Sequence, residues 1–254
     1  LPPGVGALTY RSYRDEWSME YVKTVVGFDR DDPVVADLAF SPLVTVADGH
    51  TAAGGRTHDR VVGIGPIGYF REGSWPEADA ARWHQFRDEI ATVVVNVIER
   101  GDRIAFLKGE GFHDQPVVDE VRAEVARRGV DLSGSMLELP VTTVAELAAA
   151  ISRCDAVIAA RYHNVLFAYL LDRPVVGISY QEKTDALMQR YDEDPWCIGI
   201  GDVTADAILR GLDDVTTRDR THRADVTAEQ RRLLDAQYDT VHEIIATSVA
   251  ARAR

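Results

Sequence analysis

The sequence predicts an α/β protein built around a parallel, doubly wound sheet. Three observations predict it. From about residue 61 onward, short apolar runs alternate with longer amphipathic stretches of helical period. The short runs, such as VVGIG, RIAFLKG, DAVIAA and VVGIS, are apolar almost without break, as strands covered on both faces are. Each is separated from the next by enough chain for a crossover helix, the connection that parallel strands require.

The elements follow in order. VVGIG at 61–65 reads as the first strand, and the stretch from about 77 to 100 as a long helix. RIAFLKG at 103–109 is a strand, and QPVVDEVRAEVARRG is a helix ending at Gly129, a C-cap residue. SMLELP precedes a helix over TTVAELAAAISRC, with Thr142 or Thr143 as N-cap and Glu146 in the capping-box position. DAVIAA, the turn RYHN, the helix VLFAYLL, the strand VVGIS and the helix KTDALMQRY continue the alternation, and CIGIG and TADAILRGL complete it. About six strands result, the size of one Rossmann-like domain over residues 58–225.

Two flanking segments stand outside that sheet. In residues 1–57, ALTYRSY reads as a strand, RDEWSMEYVKTVV as a helix, PVVADLAF as a strand, and the Gly- and Ala-rich stretch after them as an interdomain linker. Two strands and a helix are too little for a free-standing core, so a partial, truncated amino-terminal lobe is expected. Residues 226–254 follow a charged linker (TTRDRTHRADV) and read as a helix from roughly 227 to 249 whose stripe includes Leu234, Tyr238 and Val241, expected to pack back on the first lobe.

Composition narrows the function. The 254 residues carry a formal charge of -13, with 41 acidic against 28 basic side chains. That disfavours unspecific binding to nucleic acid or to an anionic membrane, so an anion site must be built from a few focused cations. Two cysteines without CxxC suggest neither a disulfide framework nor a structural zinc, and a cytoplasmic protein is expected. No apolar run of membrane-spanning length is present.

The chemistry concentrates between Cys154 and Lys183. A buried strand leads into RYHN, so Arg161 and His163 sit in a turn at a helix amino terminus, where unpaired N–H groups favour an anion. Arg161 either grips a phosphate or carboxylate in bidentate fashion or pairs with a structural acid. His163 either exchanges a proton near neutral pH or caps the helix. Lys183 follows the next strand, whose end lies beside the first, and so reaches the same sheet edge.

These residues resemble the polysaccharide pyruvyl transferase family. The resemblance rests on Cys154-Asp155, Arg161-Tyr162-His163, Pro174-Val175-Val176-Gly177-Ile178-Ser179-Tyr180 and Lys183, and on an earlier block, Arg14-Asp15-Glu16-Trp17-Ser18 with Asp37 in VVADLAF. Tyr162 stands where the family commonly has an aliphatic residue. The resemblance implies a glycosyltransferase-B-like fold with the site between two lobes, phosphoenolpyruvate as donor and a sugar as acceptor, lipid-linked, nucleotide-linked or free. A pyruvate ketal and phosphate are the implied products, at the cytoplasmic side of the membrane and with no cofactor or metal. By the same resemblance His163 is the acid/base group, and Arg161, Lys183 and Arg14 hold the donor. A nucleotide-sugar glycosyltransferase of similar fold and a non-catalytic module retaining the fold are the alternatives.

Other residues belong to this edge by position. Gly63 to Gly68 spell GxGxxG, but Pro66 removes an amide and no helix opens on the glycines, which argues against a dinucleotide site. Gly65 is then either a plain turn residue or a point where backbone approaches the cleft. His113 and Asp114 follow the second strand; Asp114 either orients an acceptor hydroxyl or N-caps a helix starting at Pro116. Tyr162 and Asn164 complete the cleft candidates. Trp17, Trp75 and Trp83 either stack on a sugar or pack in the core.

Overall fold

The structure is a computed structural model of the chain and describes residues 10–27, 30, 32–41 and 60–252. The chain divides into two compact units, Leu1–Val44 with Thr221–Arg254, and Thr45–Arg220.

The larger unit is the predicted parallel α/β sheet. Its strands are β1 (Val61–Gly65), β2 (Arg103–Phe106), β3 (Met136–Leu137), β4 (Ala156–Ala159), β5 (Val175–Ser179) and β6 (Cys197–Gly199). They form one sheet in the order β3-β2-β1-β4-β5-β6, and every pair is parallel. Ile64 pairs with Phe106 on one side and Ile158 on the other, so β1 lies at the centre. The order reverses direction between β1 and β4, and in open sheets the crevice beyond the strand ends at that point is where ligands bind.

The helices are α2 (Ala80–Glu99), α3 (Gly111–Arg127), α4 (Val144–Ser152), α5 (Tyr162–Leu170), α6 (Glu182–Arg190) and α7 (Ala205–Thr217). On α2, Trp83, Phe86, Ile90, Val93, Val94 and Val97 recur at helical spacing and are all buried. Each such side chain contributes about 1.5–3 kcal/mol relative to exposure. Helix α4 begins with the predicted capping box: Thr143 Oγ1 accepts from the Glu146 N–H, and Glu146 accepts from the Thr143 N–H. Helix α5 is buried throughout Asn164 to Tyr169, and its apolar run leaves no wet face.

Two helix starts differ from expectation, with consequences for the site. Helix α3 begins at Gly111, not at Pro116, because the Asp114 carboxylate reaches back to accept the Glu110 N–H at 2.8 Å and closes the first turn early. His113 and Asp114 therefore lie in the first turn rather than before it, and Pro116 lies inside the helix. Helix α5 begins at Tyr162, which puts His163 in its first turn as well.

The smaller unit holds α1 (Glu16–Val25), with Asp15 as N-cap accepting from the Ser18 N–H at 2.6 Å. The described parts of the two expected strands meet only in a parallel bridge between Tyr13 and Val34. Residues 38–40 form a 3-10 turn, not strand, because Asp37 accepts from the Ala39 N–H and bends the backbone out of extension. Helix α8 (His222–Arg252) packs on that turn, and Gln237 donates to Ser12 Oγ at 2.7 Å. It starts at His222 and α7 runs to Thr217, so most of the expected charged linker is helical. The expected linker at 44–59, with His50 and His58, lies outside the described residues. Among the described residues, no helix is long and apolar enough to cross a membrane.

Candidate functional site

The carboxyl ends of β1, β2, β4 and β5 present their side chains to one edge of the sheet. Arg161 is the N-cap residue of α5, extended at φ -78° and ψ 131°, and its side chain makes no cap bond. Instead its guanidinium turns to the start of α3. Arg161 Nη2 donates to Asp114 Oδ1 at 2.6 Å and meets Glu110 Oε2 at 2.9 Å. The two acids differ in exposure: the Asp114 side chain is 1% exposed and that of Glu110 57%. Burial pulls the Arg161 pKa down, but the hydrogen bond to Asp114 and the charges of Asp114 and Glu110 outweigh it and leave it raised. Arg161 Nε is buried and has no hydrogen-bond partner among the described residues.

Of the two sequence readings of Arg161, pairing with acids is therefore present. Asp114 does two jobs that no sequence reading named together. It closes the first turn of α3 and fixes the guanidinium from behind.

His163 is exposed on a helix whose next six residues are buried. Its ring lies 5.3 Å from that of Tyr162 and 6.5 Å from that of Phe167. Lys183 is the second residue of α6, and its Nζ lies 5.9 Å from the centre of the Tyr162 ring, within cation–π range. Tyr162 thus links the first turns of α5 and α6, which pack as neighbours. Arg161, His163 and Lys183 are brought to the starts of two adjacent helices.

Asn164 is fully buried, and its Nδ2 donates to the Leu107 carbonyl across a long 3.4 Å contact. Two glycines make room for it. A Cβ at Gly65 would lie 2.5 Å from Asn164 Nδ2, and one at Gly109 would lie 3.0 Å from Asn164 Oδ1 and from Arg161 Cγ. Neither glycine has a positive φ; close approach alone requires them. Gly65 therefore serves contact between protein groups, and α2 opens only at Ala80, far from the glycine run.

A pocket of about 120 Å³ opens at this edge. It is lined by Ile67, Gly68, Ser74 and Trp75 after β1, Glu110 and His113 after β2, Arg161 after β4 and Tyr180 after β5. Trp75 and Tyr180 meet edge to face at 5.6 Å. Trp83, by contrast, is core, its Nε1 donating to Glu120 at 2.7 Å. Glu110, Ser74 and Tyr180 escape motif reasoning because no spacing marks them. A rule that collects polar and aromatic residues just past each strand end finds Glu110 and Tyr180, but not Ser74, which lies well beyond β1.

Arg14 belongs to the smaller unit. Its Nε lies 3.2 Å from Asp15 and its Nη1 3.3 Å from Asp37. The early sequence block is thereby explained locally: Arg14, Asp15, Ser18 and Asp37 form one hydrogen-bonded cluster. Burial pushes the Asp15 carboxyl up, but hydrogen bonds from Ser18 and Arg14 outweigh it and hold it below its ordinary value.

The profile of one family, described as polysaccharide pyruvyl transferase, matches residues 6–182. No curated protein matches the chain. Among solved structures, it is similar to a variant of the O-GlcNAc transferase of Thermobaculum terrenum, at 16% identity and TM-score 0.44, with 74% of this chain and 33% of that one covered. It is also similar to the carboxy-terminal CMP-Kdo binding domain of WaaA from Acinetobacter baumannii, at 12% identity and TM-score 0.43, covering 69% and 89%. The α,α-trehalose 6-phosphate synthase of Burkholderia multivorans matches at 10% identity and TM-score 0.44, covering 77% and 44%. The chain thus spans about a third of the first of these and under half of the last.

Proposed function

Because the chain belongs to the polysaccharide pyruvyl transferase family, with well over half its length matched, we propose that it moves a pyruvyl group from phosphoenolpyruvate to a sugar. The sugar is part of a polysaccharide or glycolipid precursor, the product is a pyruvate ketal, and phosphate is released. The observation that carries this reading is the gathering of Arg161, His163 and Lys183 at the first turns of α5 and α6.

The donor carries a phosphate and a carboxylate, so it needs more than one cation and gains from helix amino termini. Arg161 and Lys183 take these groups, with Arg14 as a third donor-binding candidate. The enol carbon must gain a proton before a hydroxyl attacks, because protonation creates the oxocarbenium-like centre. His163 supplies that proton: it is exposed at the start of an otherwise buried helix, and imidazole titrates near neutral pH.

The test is phosphate release from phosphoenolpyruvate in the presence of a panel of sugars, with product ketal identified by NMR. Acceptor-dependent release is expected from the parent protein. His163→Ala is expected to cut it by about 10²–10⁴-fold with an unchanged circular dichroism spectrum. Near-parental turnover in that variant would sink the assigned role of His163, and no release with any sugar would sink the donor assignment.

A further inference from the structure

The mouth of the pocket beside Arg161 carries the Glu110 carboxylate, which favours a neutral ligand there over a second anion. Of its charged lining groups, Arg161 is already engaged by Asp114 behind it, and Glu110 adds a second carboxylate at the mouth. Around Glu110 two carboxylates face one guanidinium, so the pocket does not suit a further anion beyond the donor that Arg161 and Lys183 are proposed to hold. It does suit a neutral ligand rich in hydroxyls.

The rest of the lining suits such a ligand. Trp75 and Tyr180 give a ring wall with polar tips, against which the C–H face of a pyranose packs. Ser74, Glu110 and His113 offer a hydroxyl, a carboxylate and an imidazole to hydroxyl groups. The volume of about 120 Å³ is the space of roughly four waters. It encloses one edge of a sugar ring and leaves the remainder of the chain outside, as an acceptor carried on something larger requires.

We infer that this pocket is the acceptor subsite and that Glu110 receives the proton of the attacking hydroxyl. The inference rests on the donor chemistry proposed above. After His163 has protonated the enol carbon, the first sugar oxygen bonds to the adjacent carbon while its O–H bond breaks and the proton passes to Glu110. The bond from that carbon to the phosphate oxygen then breaks, and the phosphate leaves with the electron pair and takes the proton from Glu110. The second sugar oxygen closes the ketal, and its proton restores His163. Both groups end as they began. A carboxylate activating a hydroxyl against an oxocarbenium-like centre is the role one carboxylate plays in inverting glycoside hydrolysis.

The test uses the full chain with phosphoenolpyruvate as donor, and methyl β-galactopyranoside and methyl β-mannopyranoside as acceptor probes. Glu110→Gln and Trp75→Ala are compared with the parent. Sugar contact is read by saturation-transfer NMR and donor affinity by titration calorimetry. The parent is expected to transfer saturation to sugar ring protons, and both variants to lose about tenfold or more of sugar affinity, with donor affinity held or tightened in Glu110→Gln. Glu110 is exposed, so its replacement keeps the test valid if Trp75→Ala fails to fold. A sugar signal untouched in Glu110→Gln, no sugar signal in the parent with either probe, or loss of donor affinity in Glu110→Gln overturns the subsite. A parent that binds sugar as expected but not phosphoenolpyruvate overturns the donor assignment and leaves the subsite standing.

Discussion

Arg14 and Arg161 are each straddled by two carboxylates, and they are not alike. Arg14 lies between Asp15 and Asp37. Both acids are largely buried, and each also accepts a backbone N–H, from Ser18 and Ala39. Arg161 lies between Asp114 and Glu110, and only Asp114 is anchored in that way, by the Glu110 N–H. The carboxylate of Glu110 stands out toward solvent at the mouth of a pocket. A cluster with both acids tied down holds chain segments together; a cluster with one acid loose has a group to offer a ligand.

The largest effect expected to test this contrast is at Arg161. Arg161→Ala removes the proposed donor grip and leaves the buried Asp114 carboxylate without its counter-charge. A loss of about 10²–10³-fold or more in kcat/KM for phosphoenolpyruvate is expected, together with a lower Tm from the unpaired buried acid. Arg161→Lys keeps the charge but not the fork, so it is expected to restore Tm before it restores turnover. Activity kept in either variant would break the contrast at its functional end.

Arg14→Ala comes next. If Arg14 is a donor ligand as proposed, loss of its charge-assisted contact raises KM for phosphoenolpyruvate about tenfold. An unchanged KM with a lowered Tm would sharpen the contrast instead, by making the Arg14 cluster wholly architectural. Initial-rate kinetics and a thermal melt on the same preparation separate the two.

The smallest effect is expected at Glu124, the inverse arrangement of one acid among arginines. Hydrogen bonds from Arg127 and Arg128 hold its pKa down at about 2, against the ordinary 4.5. A depressed carboxylate stabilises the fold above its ordinary value, and that contribution is lost as pH falls from about 4.5 toward 2. Glu124→Gln is therefore expected to lower Tm slightly at pH 7, to converge with the parent near pH 2, and to leave turnover untouched. Parallel pH curves for the two proteins would refute this.

The sheet was legible because its signal is long-range: six apolar runs at crossover spacing leave few other packings. The helix starts at Gly111 and Tyr162 were not, because each is decided by one hydrogen bond or one N-cap conformation that composition does not show. The strand expected over 33–40 failed for the same kind of reason, since the Asp37 side chain captures a nearby N–H in competition with extended pairing. In the candidate site, the placement of Arg161, His163 and Lys183 at two neighbouring helix starts was readable because strand ends and motif spacing converge on them. Glu110 was not, since its place follows from where α3 begins. Asp114 was read as a choice between cap and ligand, and it both closes the turn and holds Arg161.

Asn164 sits in a mould whose other walls are Gly65 and Gly109, from the ends of two other strands. Changes at these three positions are therefore expected to be coupled. A methyl group at Gly65 has no room while the amide is present, one at Gly109 presses on both the amide and the stem of Arg161, and a smaller side chain at 164 leaves a hollow between the strand ends. The three are expected to behave as one heritable character, with a change at one favouring a change at its partners.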